Sequence, residues 1–355
     1  MLSPLFDVPI LGLLFQLVDF LVNVLTINGA LILALSAPLA LGAMCGVLNE
    51  RSGVVNIGIE GMMLTSAFVG WIVASLVARA IHADPGPIFG ATPALVIGLL
   101  AAIGTGVLIS LVHAWLCITV RADQIISGTI INIVALGLTG FLDVLLSQNS
   151  PPSGGSFSAF VPPQALVDIP FVGWIFRMFL NQGPVSMSVV VLAVVLQILL
   201  FKSRWGLRTR AVGEHPKAAE TVGIDVVRLR YRNVLIGGIF AGLGGAWFTL
   251  DFGNSFQIGM TNGRGFIALA ALIFGRWNPL GAFGAALLFA ASGALGTAIR
   301  TSPPAGQLGQ ILSAIPEQFF AALPYIVTII ILAGVVGRSI APAADGQPYE
   351  RESAN

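Results

Sequence analysis

Charge is scarce in this chain. Asp, Glu, Lys and Arg together make up 9% of its 355 residues, and only two lysines occur, Lys202 and Lys217. Neither lies in a glycine-rich phosphate loop, and no GxxxxGK[ST] pattern exists, so the chain by itself does not bind and hydrolyse ATP in that manner. His82, His113 and His215 are scattered, with no HExxH pattern or ligand pair, and no metal site is expected. Cys45 and Cys117 lie far apart in apolar runs and read as small hydrophobes that say nothing of redox compartment. A net charge of +1 gives no electrostatic footprint for nucleic acid. The N-terminus has no basic n-region, so a cleaved signal peptide is not expected.

What is present is apolar. The chain is 56% hydrophobic with a mean hydropathy of +0.92, and long apolar runs recur along its whole length. The expected class is an all-α polytopic membrane protein. Nine spans are expected, at about 27–48, 62–80, 93–118, 125–146, 184–201, 233–250, 264–275, 279–299 and 318–337. Residues 1–27 stand apart. Gly12, Gln16, Asp19, Asn23 and Thr26 form a helical stripe there, which suits either an interfacial amphipathic helix or a tenth span. Alternate loops divide the basic residues thirteen to four, the richer set being dominated by the block 202–232. By the positive-inside rule that set is cytoplasmic, loop 147–183 is outside, and the polar tail 339–355 is a disordered cytoplasmic segment.

Two segments are expected to be interrupted. Residues 52–61 are apolar but broken by Gly53, Gly58 and Gly61. Residues 259–279 hold Gly259, Gly263 and Gly265, then eleven residues between Arg264 and Arg276, about 16 Å of helix and too short to cross. Broken helices at membrane depth need protein or water to satisfy the backbone, and a pair of them, one in each half, points to a transporter path. The glycine-rich run IGGIFAGLGGAW, Ile236 to Trp247, follows no strand and reads as close helix packing.

The stretch NERSGVVNIGIEGMML, Asn49 to Leu64, places Asn56 and Glu60 four apart, on one face if helical. Lipid exposure of that face is costly, so Glu60 either lines the path or braces freed backbone, such as that at Gly53 or Gly58. Gln124 and Asn132, eight apart in one span, fit interhelical hydrogen bonds or solute contact alike. Asp251, Asn254, Gln257 and Asn262 fit a wet outer loop or the outer mouth of the path. Trp247 and Phe248 read as an interfacial belt before a base-stacking pair. In the basic block, HPKAAETVGI predicts a short helix from Pro216, with Gly223 as its stop.

Four stretches carry a family resemblance. GEHPKAAETVGI (Gly213 to Ile224) resembles the coupling loop of ABC-transporter permeases of the branched-chain amino acid, ribose and nucleoside branch. NERSGVVNIGIEGMML, RADQIISGTIINIVALGLT (Arg121 to Thr139) and GRGFIALAALIFGRWNPLGA (Gly263 to Ala282) resemble the shorter permease of nucleoside-type importers. The resemblance covers about residues 28–337 and implies a permease transmembrane domain over 28–338 with its coupling loop at 202–232. It implies that Gly213, Glu214, His215, Pro216, Ala218, Ala219, Gly223 and Ile224 couple to a cytoplasmic ATPase that holds the ATP. Asn56, Glu60, Gln124, Asn132, Asn254 and Asn262 become the candidate path. The implied partners are that ATPase, a second related permease in a heterodimer, an extracytoplasmic substrate-binding protein and bacterial inner-membrane lipid. Nucleosides are the implied cargo, while riboflavin, a simple sugar, or a stand-alone secondary transporter or channel remain open. No catalytic constellation is present, so an intramembrane enzyme has little to recommend it.

Overall fold

A computed structural model describes residues 9–81, 83–147, 154–170, 172–301, 303–304, 306–316 and 340–350, with isolated positions between 319 and 329. Seven described helices are long and apolar enough to cross a membrane. Helix α1, Pro9–Glu50, is one of them. Its 42 residues run without a break through position 27, so residues 9–27 are its first part and not a separate interfacial helix or tenth span. At 1.5 Å per residue it is about 63 Å long, against roughly 30 Å of hydrocarbon.

After α1 come α2 (Ile59–Ala80), α3 (Pro93–Ala114, continued by a π-turn at Trp115–Thr119) and α4 (Gln124–Ser147). Short α5 (Gln164–Val167) and α6 (Gly173–Leu180) precede α7 (Pro184–Lys202). The basic block folds as α8 (Arg204–Glu214) and α9 (Pro216–Thr221) before α10 (Val226–Ala246), which ends in a second π-turn at Trp247–Asp251. Then follow α11 (Arg264–Phe274), α12 (Pro279–Thr301) and α13 (Gln307–Ser313). Among the described residues, seven of the expected spans are helices long enough to cross, α11 is too short, and the N-terminal segment fuses with the next. Most of the expected span 318–337 lies outside the described residues.

The chain forms two compact units. One comprises Met1–Ser36, Phe160–Gln182 and Leu287–Gly337. Its core sets Phe20, Val24 and Ile32 of α1 against Ala290, Ala294, Ala298 and Ile299 of α12. Buried Gln182 donates to the Ala30 carbonyl at 2.7 Å and the Met178 carbonyl at 2.8 Å, closing the loop that carries α6. The stripe expected on α1 is partly self-satisfied, Asn23 donating to Asp19 at 3.2 Å and Thr26 to the Val22 carbonyl at 2.8 Å.

The other unit holds Ala37–Ala159, Gly183–Ala286 and Arg338–Asn355. Its centre is the mutual packing of α2, α3 and α10. The glycine run of α10 makes this possible. A Cβ on Gly238 would lie 2.5 Å from Ser110 Oγ, and one on Gly245 would lie 2.4 Å from the Met63 carbonyl oxygen. The backbones themselves touch, which is the packing that small residues permit between helices.

Gly106 of α3 sits at the tightest of these approaches, where a Cβ would fall 2.3 Å from the Gly238 carbonyl oxygen, whereas Gly104 has open space. Gly106→Ala is therefore expected to destabilise the protein by about 1–3 kcal/mol, the usual cost of overpacking. Gly104→Ala is expected to be neutral or mildly stabilising. Thermal unfolding of both variants in one detergent measures the difference, and equal melting temperatures would remove the close-packing reading.

Candidate functional site

Between α1 and α2 the helical ladder stops, and several freed backbone groups find other partners. Ser52 and Gly53 N–H donate back into the last turn of α1. Val55 N–H donates to Gln124 Oε1 at 2.7 Å, and the Val55 carbonyl accepts from His113 Nε2 at 3.0 Å. The Ile57 carbonyl accepts from Asn132 Nδ2 at 3.0 Å, and Gly61 N–H donates to Asn132 Oδ1 at 2.7 Å. Gly58 N–H donates to Asn56 Oδ1 at 3.0 Å. Gln124, Gly128 and Asn132 follow four-residue steps on α4 and so share a face. A Cβ on Gly128 would lie 2.7 Å from Gly58 N, which lets α4 lie directly on the break. Asn56 and Glu60 do not share a helix face as the spacing suggested, because α2 begins only at Ile59 and Asn56 lies in the unwound turn.

Glu60 braces freed backbone, but in the other half of the chain. Its Oε1 accepts from Thr261 Oγ1 at 2.7 Å and Gly263 N–H at 2.8 Å, and its Oε2 accepts from Gly265 N–H at 2.6 Å. The expected partners at Gly53 and Gly58 are not the ones it uses. Gly263 is the N-cap of α11, with φ +79, so the carboxyl group sits where unpaired N–H groups and the helix dipole favour negative charge. Gly265 is required by proximity, since its Cβ would meet Glu60 Cα at 2.5 Å. Asn262, also at positive φ, is exposed in the same turn, and Asn254 is exposed further towards α10. Of the six candidate path residues, four hold the two breaks and two face outward.

Nearby polar groups settle in similar ways. Asp251 accepts from Val185 N–H and Ser186 N–H, both at 3.0 Å, and from Ser186 Oγ at 2.6 Å, capping α7. Trp247 is buried, donates to Ser186 Oγ at 2.9 Å and stacks on Phe252 at 4.7 Å, so it does not belong to an interfacial belt. Ser127 and Thr261 escaped notice in the sequence, and His113 counted there only as a scattered histidine. Only His113 carried a signal, a lone titratable side chain in an apolar run.

On the basic side, Arg51 joins three elements. Its Nε donates to the Trp277 carbonyl at 2.9 Å and its Nη2 to the Arg276 carbonyl at 3.3 Å, while Trp277 Nε1 donates to Glu50 Oε2 at 2.6 Å. The Arg51 carbonyl oxygen lies 2.3 Å from where a Cβ on Gly213 would be, so α8 meets this turn directly. Burial pulls the Arg51 pKa below its ordinary value, with Glu214 acting in the opposite sense.

In the basic block 202–232, Pro216 opens α9 and Gly223 follows it with φ +82. Glu214, His215, Ala218 and Gly223 are exposed. Gly213 and Ala219 turn inward, Ala219 packing with Val212, Val226 and Tyr349, and Ile224 packs against the same cluster. Val222, missed in the sequence, is 75% exposed and lies four residues after Ala218. The tail expected to be disordered is ordered over 340–350. Ala344 N–H donates to the Gly213 carbonyl at 2.9 Å, Ala343 N–H to Glu214 Oε2 at 3.1 Å and Arg230 Nη1 to the Gln347 carbonyl at 3.1 Å. Tyr349 is buried and its hydroxyl bonds Glu220. The Arg121–Glu350 pair at 2.9 Å is exposed and adds little.

Two interrupted segments tied together within a bundle of apolar helices define a membrane transport protein. The chain belongs to the family described as branched-chain amino acid transport system, permease component, which residues 29–335 match. It is a transport component and not an enzyme. It is 41% identical over 332 residues to the guanosine ABC transporter permease protein NupQ of Bacillus subtilis, covering 93% of this chain and 98% of NupQ. It is 38% identical over 329 residues to the nucleoside ABC transporter permease protein NupC of Lactococcus lactis, covering 92% and 98%. A putative glucose ABC transporter permease protein, TsgC13 of Haloferax volcanii, is 33% identical over 328 residues, covering 88% and 94%. No solved structure matches.

Glu60→Ala removes the acceptor of two backbone N–H groups and a hydroxyl. At about 1–3 kcal/mol for each buried group left unpaired, the variant is expected to unfold well below the parent, with Glu60→Gln between them. Equal unfolding temperatures for parent and Glu60→Ala would eliminate the brace.

Burial pushes the Asp345 carboxyl well above its ordinary range, with Gly346 N–H, the Arg230 guanidinium and a hydrogen bond to the neighbouring Glu50 carboxyl pulling the other way. A raised carboxyl pKa means the docked tail holds its proton more tightly than the free tail. Docking is therefore fullest near pH 4 and weakens as pH rises towards 7. A spin label on Pro348→Cys is expected to gain mobility between pH 5 and 8, and Asp345→Asn to flatten that change. Identical profiles with and without the carboxyl would refute it.

Proposed function

We propose that this chain is the permease subunit of an ABC importer for nucleosides. The observation that carries this reading is the Glu60 link between the two broken segments, 52–61 and 259–279, in a chain 41% identical to NupQ. Broken helices expose backbone and polar side chains at membrane depth only beside a cavity or a protein partner. In this reading Asn56, Gln124, Asn132 and Glu60 hold the wall of the path in shape, and Asn254 and Asn262 offer amides to ribose hydroxyls and base edges. The path runs along the interface with a second, related permease in a heterodimer. A substrate-binding protein delivers the nucleoside from outside, and a separate cytoplasmic ATPase holds the ATP. The chain resides in the bacterial inner membrane with the basic block and the tail cytoplasmic, in line with the positive-inside rule.

The ATPase-facing surface in this reading is the exposed side of the coupling loop, with His215, Ala218, Val222 and Gly223. Glu214, Gly213, Ala219 and Ile224 hold that surface from behind, together with the tail, and Pro216 sets where α9 begins. A riboflavin or sugar importer, and a protein working alone, are outcomes of the test below.

A deletion strain complemented by this chain is expected to take up radiolabelled guanosine, with competition from unlabelled nucleosides and none from riboflavin or glucose. Ala218→Trp is expected to lower uptake about tenfold, the effect of losing about 1.4 kcal/mol at a fitted contact, and to lower substrate-stimulated ATP hydrolysis in parallel. Ser156→Trp, outside the coupling loop, is expected to leave both unchanged. Competition by glucose or riboflavin alone would reassign the cargo. Uptake by the chain in liposomes without an ATPase would end the ABC reading.

A further inference from the structure

Where α7 and α10 approach the basic side, a groove of about 450 Å³ lies between them. That volume falls in the range of ~300–1,000 Å³ common to sites for small molecules. Leu192, Val195, Leu196 and Leu199 of α7 line one wall, and Ile236 and Phe240 of α10 the other. The α7 wall runs eleven residues from Leu192 to Ser203, about 16 Å along the helix. Val195 and Leu199 are 45% and 42% exposed, so the groove opens sideways along the length of the helix.

Its end is of opposite character. Arg204, Trp205 and Arg232 stand there. Trp205 is fixed, its Nε1 donating to Asn233 Oδ1 at 3.0 Å, and Asn233 donates in turn to Thr209 at 3.1 Å. The Arg232 guanidinium lies 5.7 Å from the Trp205 ring centroid. Arg204 and Arg232 are both exposed, and among the described residues neither pairs with a carboxylate. Asp225, at the start of the same helix as Arg232, is engaged with Arg228 at 3.7 Å. The groove thus joins an apolar channel in a membrane-spanning helix pair to two unneutralised guanidinium groups at its end.

We propose that this groove binds one anionic phospholipid from the leaflet on the basic side. The phosphodiester lies between Arg204 and Arg232, and one acyl chain runs along α7. Guanidinium groups are suited to phosphate oxygens, and a basic pocket between helices at this depth matches an anionic headgroup. A free phosphate would satisfy the arginines and leave the apolar wall bare. A second protein chain would have to bring its own carboxylates to the membrane boundary, where lipid phosphates already stand.

Native mass spectrometry of the full chain, released from nanodiscs of mixed phosphatidylglycerol and phosphatidylcholine with identical acyl chains, tests this. The parent is expected to retain phosphatidylglycerol at least roughly fivefold over phosphatidylcholine, the preference one arginine near the surface can supply. Arg204→Gln combined with Arg232→Gln should abolish the preference. Val195→Trp, which fills the groove and keeps both arginines, should abolish retention. Arg228→Gln should change neither. Unaltered retention in the two groove variants would overturn the site, as would displacement of the lipid by glycerol phosphate. Cross-linking of Val195→Cys to a second permease in the assembled transporter would also overturn it, by making the groove a protein interface.

Discussion

Everything in this structure follows from the rule that a backbone polar group in hydrocarbon cannot be left unpaired. The chain breaks its helices twice at depth, after α1 and before α11, and must then supply donors and acceptors from side chains. Glu60 is where the two solutions meet, since it lies in the first turn of α2 and receives the N-terminus of α11. The polar stripe of α4 exists for the same reason. Gln124 and Asn132 reach the unwound turn only because Gly128 lets the two backbones touch. His113 completes the set from α3, and its bond to the Val55 carbonyl requires a proton on Nε2, which leaves Nδ1 to accept from Ser127.

The same turn connects to the loop that the proposed function assigns to ATPase coupling. Gly213 touches the Arg51 carbonyl, Arg51 holds the backbone at Arg276 and Trp277, and Trp277 holds Glu50. The end of α11 and the end of α1 are thus fastened to each other and to α8. Displacement of α8 has a continuous set of packed and hydrogen-bonded groups through which to reach both ends of the broken segments. Contiguity of this kind is a physical route and not by itself a measured coupling. It does explain why the tail is ordered: residues 343–350 press Gly213, Glu214 and Ala219 from the far side, so the loop is held between the tail and the Arg51 turn.

Local chemistry was legible in the sequence and distant partners were not. The breaks at 52–61 and 259–279 announced themselves through Gly58, Gly263 and the short apolar run after Arg264. Pro216 and Gly223 bounded α9 as their backbone preferences require. The glycine run of α10 was readable as packing because nothing else suits so many small residues in a span. The fusion of residues 9–27 with the next helix was not readable, because the polar stripe from Gly12 to Thr26 sets that segment apart while the backbone runs through it without a break. Glu60 could be recognised as out of place, but its partners lie about two hundred residues away. The inward turn of Ala219 and the order of the tail depend on Tyr349, an aromatic in a polar segment whose contact with Val212 and Val226 no local pattern encodes.

Charge at the breaks is handled with one repeated device, and this bears on what the proposed path can carry. Glu60 at the start of α11 and Asp251 at the start of α7 each accept two backbone N–H groups and one hydroxyl. Each carboxyl group therefore lies at the positive end of a helix dipole and needs no mobile counter-ion. Arg264, the first residue of α11, donates to the Met260 carbonyl at 3.2 Å and lies 5.4 Å from the Phe248 ring centroid. These charges serve the chain's own helix ends and rings, and an ionic solute would have to compete with those partners for them. A neutral solute rich in hydroxyls and amides needs only polar surface of the kind that Asn262 exposes. Under the proposed function, the electrostatics of the breaks thus favour a solute of the nucleoside type over a zwitterionic amino acid of the kind the family description names.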